Sequence, residues 1–181
     1  MYDYRLIRAD RKTMSLKIGK DNVPIVKAPF MMPDSKINTF VEKNAQWIEK
    51  QLEKQTLHNR FEKVISENET ALRQRAIETL PIKVNDFSRI MNLFPSAVKI
   101  TSAKSRFGSC NGNNSLCFSW RLMAYPDEAI NYVVVHELAH IKYKDHSKRF
   151  YALIERYMPD YKIKRALLKN PLLGGKKDDQ I

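Results

Sequence analysis

The chain has 181 residues, 43% of them apolar and 10% aromatic, with a net charge of +12. That is long enough for one domain with a real core and too short for two large ones. No window approaches the roughly 18 consecutive apolar residues of a membrane-crossing helix, and the first residues, MYDYRLIRADRK, lack the apolar h-region of a secretory signal.

The predicted elements begin with short strands at 2–8 and 13–18, the second marked by the alternation of Met14, Leu16 and Ile18. Val23 to Val26 read as a third strand, ending before Pro29. From Asp34 the period changes to that of a helix, with Ile37, Val41, Ala45, Ile48 and Leu52 on one face and Asp34 or Ser35 as cap. A second helix is expected to start at Ser66, where Ser66 and Glu69 match a capping box, and to be kinked or interrupted at Pro81. Residues 97–103 alternate as a strand, and NGNN (111–114) signals the turn of a hairpin. Pro126 suits the first turn of a helix over roughly 127–143, and Asp127 and Glu128 suit its positive end. A further helix follows Ser147, with Phe150, Leu153, Ile154 and Tyr157 on one face, and a last short one covers 160–169. The expected organisation is a single domain over 1–181: N-terminal strands (1–33), a helical part (34–95), a catalytic core (96–170) and a flexible tail (171–181).

Cys110 and Cys117 are too few for a disulfide framework, and their spacing is poor for a zinc knuckle. They read as two reduced thiols of a cytoplasmic protein. The positive charge permits nucleic acid, an anionic surface or an acidic substrate as partner. Residues 142–165 hold eight Lys/Arg against three Asp/Glu, but a solvated basic face accounts for them as well.

The chemistry concentrates in residues 136–146, HELAHIKYKDH, which hold three of the four histidines in the chain. His136 and His140 at i, i+4 share one face of a helix, one turn apart, where they can share an ion. Glu137 is turned about 100° from His136, which sets its carboxylate beside the ion rather than on it. His146 can return as a third ligand once the helix ends in KYKD. Three protein ligands and one open position describe a catalytic zinc site, with Glu137 as the base for a zinc-bound water. At this chain's composition H-E-x-x-H arises by chance in roughly 0.5% of such sequences, and a third histidine at one fixed position multiplies that by about 0.02. His58 lies outside the cluster and reads as a surface residue.

SRFGSCNGNNSLCFSWRL followed by INYVVVHELAHIKYKDHSKRFY resembles the YgjP-like metallopeptidase family, whose pattern runs S-R-W-G-S-C, W-R-L, V-x-H-E-L-x-H and N-H-S-x-x-F. Phe107 stands where the family has Trp, and Asp145 where it has Asn. The resemblance implies a minimal gluzincin-like zinc peptidase of α+β fold: small N-terminal strands plus a zincin-like helical core with a short antiparallel sheet and an HExxH helix. It further implies His136, His140 and His146 as ligands, Glu137 as base, and a protein or peptide as substrate. Metzincins share the histidine spacing but carry Gly at the turn, where this chain has Tyr143. Strand 115–120 or 99–104 is the expected edge for pairing with substrate backbone. Trp120 reads as core, and the sequence does not choose among Arg121, Arg149 and Tyr151 for an oxyanion or substrate contact. Two other readings stay open: a zinc-dependent nucleoside triphosphate pyrophosphohydrolase, and a nucleic-acid-associated protease.

Overall fold

The computed structural model describes residues 3–169, so the expected tail at 171–181 lies outside the described residues. The fold is α+β, with six α-helices, one 3-10 helix and two mixed three-stranded sheets among the described residues. The described residues divide into two compact units, one up to Arg60 and one from Phe61.

In the first unit, strands β1 (Arg5–Ala9), β2 (Ser15–Ile18) and β3 (Pro24–Pro29) form a sheet in the order β1-β3-β2. β3 runs parallel to β1 and antiparallel to β2. It extends further than the sequence suggests because its prolines sit at its first and last positions, where ladder hydrogen bonds are lost at least cost. Its residues Val26 and Ala28 form a core with Ile37 and Val41 of α1 (Asp34–Lys43) and with Ile48.

Two expectations about the helices need correction, and asparagine is the reason in both cases. The helix expected over 34–52 breaks at Asn44, whose side chain donates to the Phe40 carbonyl at 2.7 Å, and α2 (Ala45–Glu67) follows. Ser66 starts no helix. It lies within α2, which ends where Asn68 donates to the Val64 carbonyl at 2.8 Å. At Asn44 the side-chain amide takes the Phe40 carbonyl while its own backbone N–H turns to the Val41 carbonyl, and at Asn68 the side chain shares the Val64 carbonyl with its own backbone N–H. Helix α3 (Glu69–Met91) then passes through Pro81 without interruption. Its buried face, Ala76, Leu80, Val84, Ser88 and Met91, continues across the proline. Ile77, whose carbonyl loses its donor, is 57% exposed, so water can satisfy it.

In the second unit, β4 (Ala97–Thr101), β5 (Gly108–Cys110) and β6 (Ser115–Ser119) form a sheet in the order β4-β6-β5. The β5–β6 hairpin turns where expected, with the Asn111 carboxamide accepting from the backbone N–H of Asn113 and Ser115 and with Asn114 in the left-handed region. β6 is central, parallel to β4 and antiparallel to β5. Of the two expected substrate edges, 115–120 is corrected, because that strand is paired on both sides, whereas 99–104 overlaps β4, which does lie at an edge. The edge that packs against the histidine helix is β5. The 3-10 helix Trp120–Ala124 leads from β6 into α4 (Asp127–Lys142), and Trp120 is buried as expected. α4 is buried from Ala129 to Ala139 except at Asn131, and α5 (Lys148–Tyr157) and α6 (Tyr161–Leu167) pack against it.

Candidate active site

Helical periodicity carries His136 and His140 to one face of α4, as their spacing requires. The helix ends at Lys142, and the backbone of Tyr143 turns to an extended conformation. Its carbonyl, released from the helix ladder, lies 2.9 Å from Nδ1 of His140. A carbonyl only accepts, so Nδ1 of His140 carries the proton and Nε2 presents a lone pair. His136 lies 3.3 Å through its Nδ1 from the Tyr132 hydroxyl, one turn earlier on α4 and fully buried. The loop after α4 brings His146 back, and the three Nε2 atoms stand 3.1–3.2 Å apart in a near-equilateral triangle.

Three imidazole nitrogens this close cannot all be protonated. Burial, together with their mutual repulsion, holds the His136 imidazole well below its ordinary range, and burial lowers His140 and His146 too. The rings are thus kept neutral, the form that binds a metal. A tetrahedral ion with nitrogen bonds of about 2.0–2.1 Å needs donors about 3.3–3.4 Å apart, so the triangle fits such an ion. Among the described residues these three histidines are the group that could hold a metal ion. Burial falls from His136 (buried) through His140 to His146 (exposed), so the cluster opens to solvent on the His146 side.

Glu137 is 2% exposed. Burial pushes its carboxyl group up to about 8, against the opposing charge of Arg106. Its Oε2 has no hydrogen-bond partner among the described residues.

Sequence reasoning missed three supports of this cluster. Phe150 lies within 4.4–5.0 Å, ring centre to ring centre, of all three histidines and is fully buried. Its place four residues after His146 was the available signal. Tyr132 was legible as the residue four before His136. Lys144, between two of the histidines, reaches the β5–β6 turn, donating to the Asn111 carbonyl at 3.0 Å and Asn114 Oδ1 at 2.7 Å. No local pattern announces that contact.

Of the remaining candidates, Tyr151 borders the cluster and Arg121 is held in an ion pair. Arg121 pairs with Glu62 at 2.5 Å, Arg149 lies over the Tyr143 ring, and Tyr151 stacks on His146 at 6.2 Å. Ser147 precedes α5, but its hydroxyl makes no cap bond. Cys110 and Cys117 are free thiols on opposite faces of the hairpin, since Cys110 pairs with Leu116 and Cys117 with Ser109. No described helix is long and apolar enough to cross a membrane.

A family model described as YgjP-like, metallopeptidase domain, matches residues 12–69 and 56–171. No curated protein matches the chain. A solved structure, the metallopeptidase zymogen of Pyrococcus abyssi abylysin, is similar over 50% of this chain and 92% of its own, at 18% identity and a TM-score of 0.46.

Proposed function

We propose that this chain, which belongs to the YgjP-like metallopeptidase family, hydrolyses peptide bonds with a zinc ion held by His136, His140 and His146 and with Glu137 as general base. The observation that carries this reading is the convergence of three imidazole Nε2 atoms 3.1–3.2 Å apart, with the residue after His136 a buried glutamate whose Oε2 has no partner among the described residues. Zinc bound there supplies a Lewis acid that acidifies water and polarises the scissile carbonyl. Glu137 takes the proton of the attacking water and passes it to the leaving amine. His140, fixed by the Tyr143 carbonyl, and His136, fixed by Tyr132, keep the donor set oriented. β5, the sheet edge packed against α4, is the strand for an extended substrate to join. A cytoplasmic location, consistent with the two free thiols, belongs to the same proposal.

The test is elemental analysis of the wild type and His146→Ala, paired with hydrolysis of casein and of nucleoside triphosphates by the wild type and Glu137→Gln. Near-stoichiometric zinc, reduced in His146→Ala, with casein cleavage lost in Glu137→Gln, is the expected result. Triphosphate hydrolysis without proteolysis would replace the peptidase reading with that of a pyrophosphohydrolase. Casein cleavage that requires added DNA or RNA would move it to a nucleic-acid-associated protease.

A further inference from the structure

β5 begins at Gly108, in the stretch SRFGSC, and backbone freedom does not explain the glycine. Its φ lies outside the left-handed region, in an ordinary strand pairing with Phe118. What distinguishes it is the space beside it. A Cβ at Gly108 would lie 2.6 Å from Oε1, 2.7 Å from Cγ and 2.8 Å from Cδ of Glu137, inside the 3.0 Å that real Cβ contacts respect. Gly112, two residues beyond the end of β5 in the turn, has open space around it.

Glu137 has little room to yield. It is buried on α4 between His136 and Leu138, themselves buried. No hydrogen bond from the described residues reaches its Oε2, so packing rather than bonding limits where the carboxylate points. The wall is firm in turn. β5 is laddered to β6, and Lys144 fastens the hairpin turn to the loop that carries His146.

We infer that Gly108 is a positioning residue: the bare backbone at the start of β5 is the surface against which the Glu137 carboxylate is set toward the metal centre. The inference rests on the proposed role of Glu137 as base. Misplacing a reacting group by about 1 Å can cost on the order of 10²-fold in rate.

The experiment compares zinc-loaded wild type, Gly108→Ala, Glu137→Asp and the double variant by crystal structure and peptide hydrolysis. In Gly108→Ala the carboxylate is expected to move by about 1 Å or more with zinc retained, and kcat to fall about 10²-fold with KM within about threefold. Glu137→Asp shortens the side chain by one methylene, so in that background the same alanine should cost less than about tenfold. An unmoved carboxylate in Gly108→Ala, or an equal loss in both backgrounds, would overturn the inference. If Gly108→Ala does not fold, recovery of folding by Glu137→Asp supports the steric argument and its absence refutes it. If the wild type cleaves no peptide, the peptidase reading fails, yet the position of the carboxylate in the Gly108→Ala crystal still decides this point.

Discussion

Replacing Glu137 by Gln should abolish the activity of the zinc-loaded protein and, in the metal-free protein, make the fold more stable. The carboxyl group ordinarily ionises near 4.5 and is pushed up to about 8 by burial in the fold. Below pH 4.5 it is protonated in both the folded and unfolded chain, and its contribution does not vary. Between the two values the unfolded chain gives up the proton while the folded chain keeps it. The unfolded state then binds fewer protons, so stability falls as pH rises, by about 1.4 kcal/mol per pH unit. At pH 7 the penalty amounts to about 3 kcal/mol. Glutamine fits the same space beside Gly108 and does not titrate. Its advantage should therefore open from near zero at pH 4.5 to about 3 kcal/mol at pH 7. The three histidines, lowered by burial, lose stability as pH falls, but they are common to both proteins and cancel in the difference. Urea unfolding of the chelator-treated pair across this range reads the gap directly. With zinc restored the gap should narrow, because a neighbouring cation offsets the cost of the buried charge. A wild type as stable as the variant at pH 7, or a gap indifferent to pH, would refute the account of Glu137.

Three further outcomes follow from named contacts. Tyr132→Phe removes the hydroxyl beside His136 Nδ1 and should weaken zinc binding about 10- to 100-fold in competition with a chromophoric chelator; unchanged affinity would deny Tyr132 that role. Phe150→Ala empties the space behind all three histidine rings and should cost about 3–5 kcal/mol by urea titration; a loss under about 1 kcal/mol would show that the rings do not depend on it. Pro81→Ala restores a helix donor at an exposed position within α3 and should stabilise by about 1–2 kcal/mol after the gain in unfolded-chain entropy is subtracted; a lower thermal midpoint would mean that the helix is built around the proline.

The sequence alone determined what depends on period. The i, i+4 histidines and the adjacent glutamate follow from the helix repeat, and the apolar face of α5 marks that helix and the side it buries. The NGNN turn sets the hairpin, because turn chemistry is local. Where a single side chain competed with the local pattern, the reading failed: Asn44 and Asn68 end helical turns, and the Ser66–Glu69 motif lies across a break instead of opening a helix. Strand order was beyond reach for another reason. Nothing in residues 115–119 says whether they lie at an edge or in the middle, since that depends on β4, nearly twenty residues earlier, coming to pair with them. The setting of Glu137 is of the same kind. Its offset from the histidines is a helix property, but its burial, its raised carboxyl group and its contact with Gly108 arise only when residues 29 positions apart in the chain are packed together. Helical spacing can bring two histidines together from one segment, whereas the surroundings that set their chemistry come from the fold.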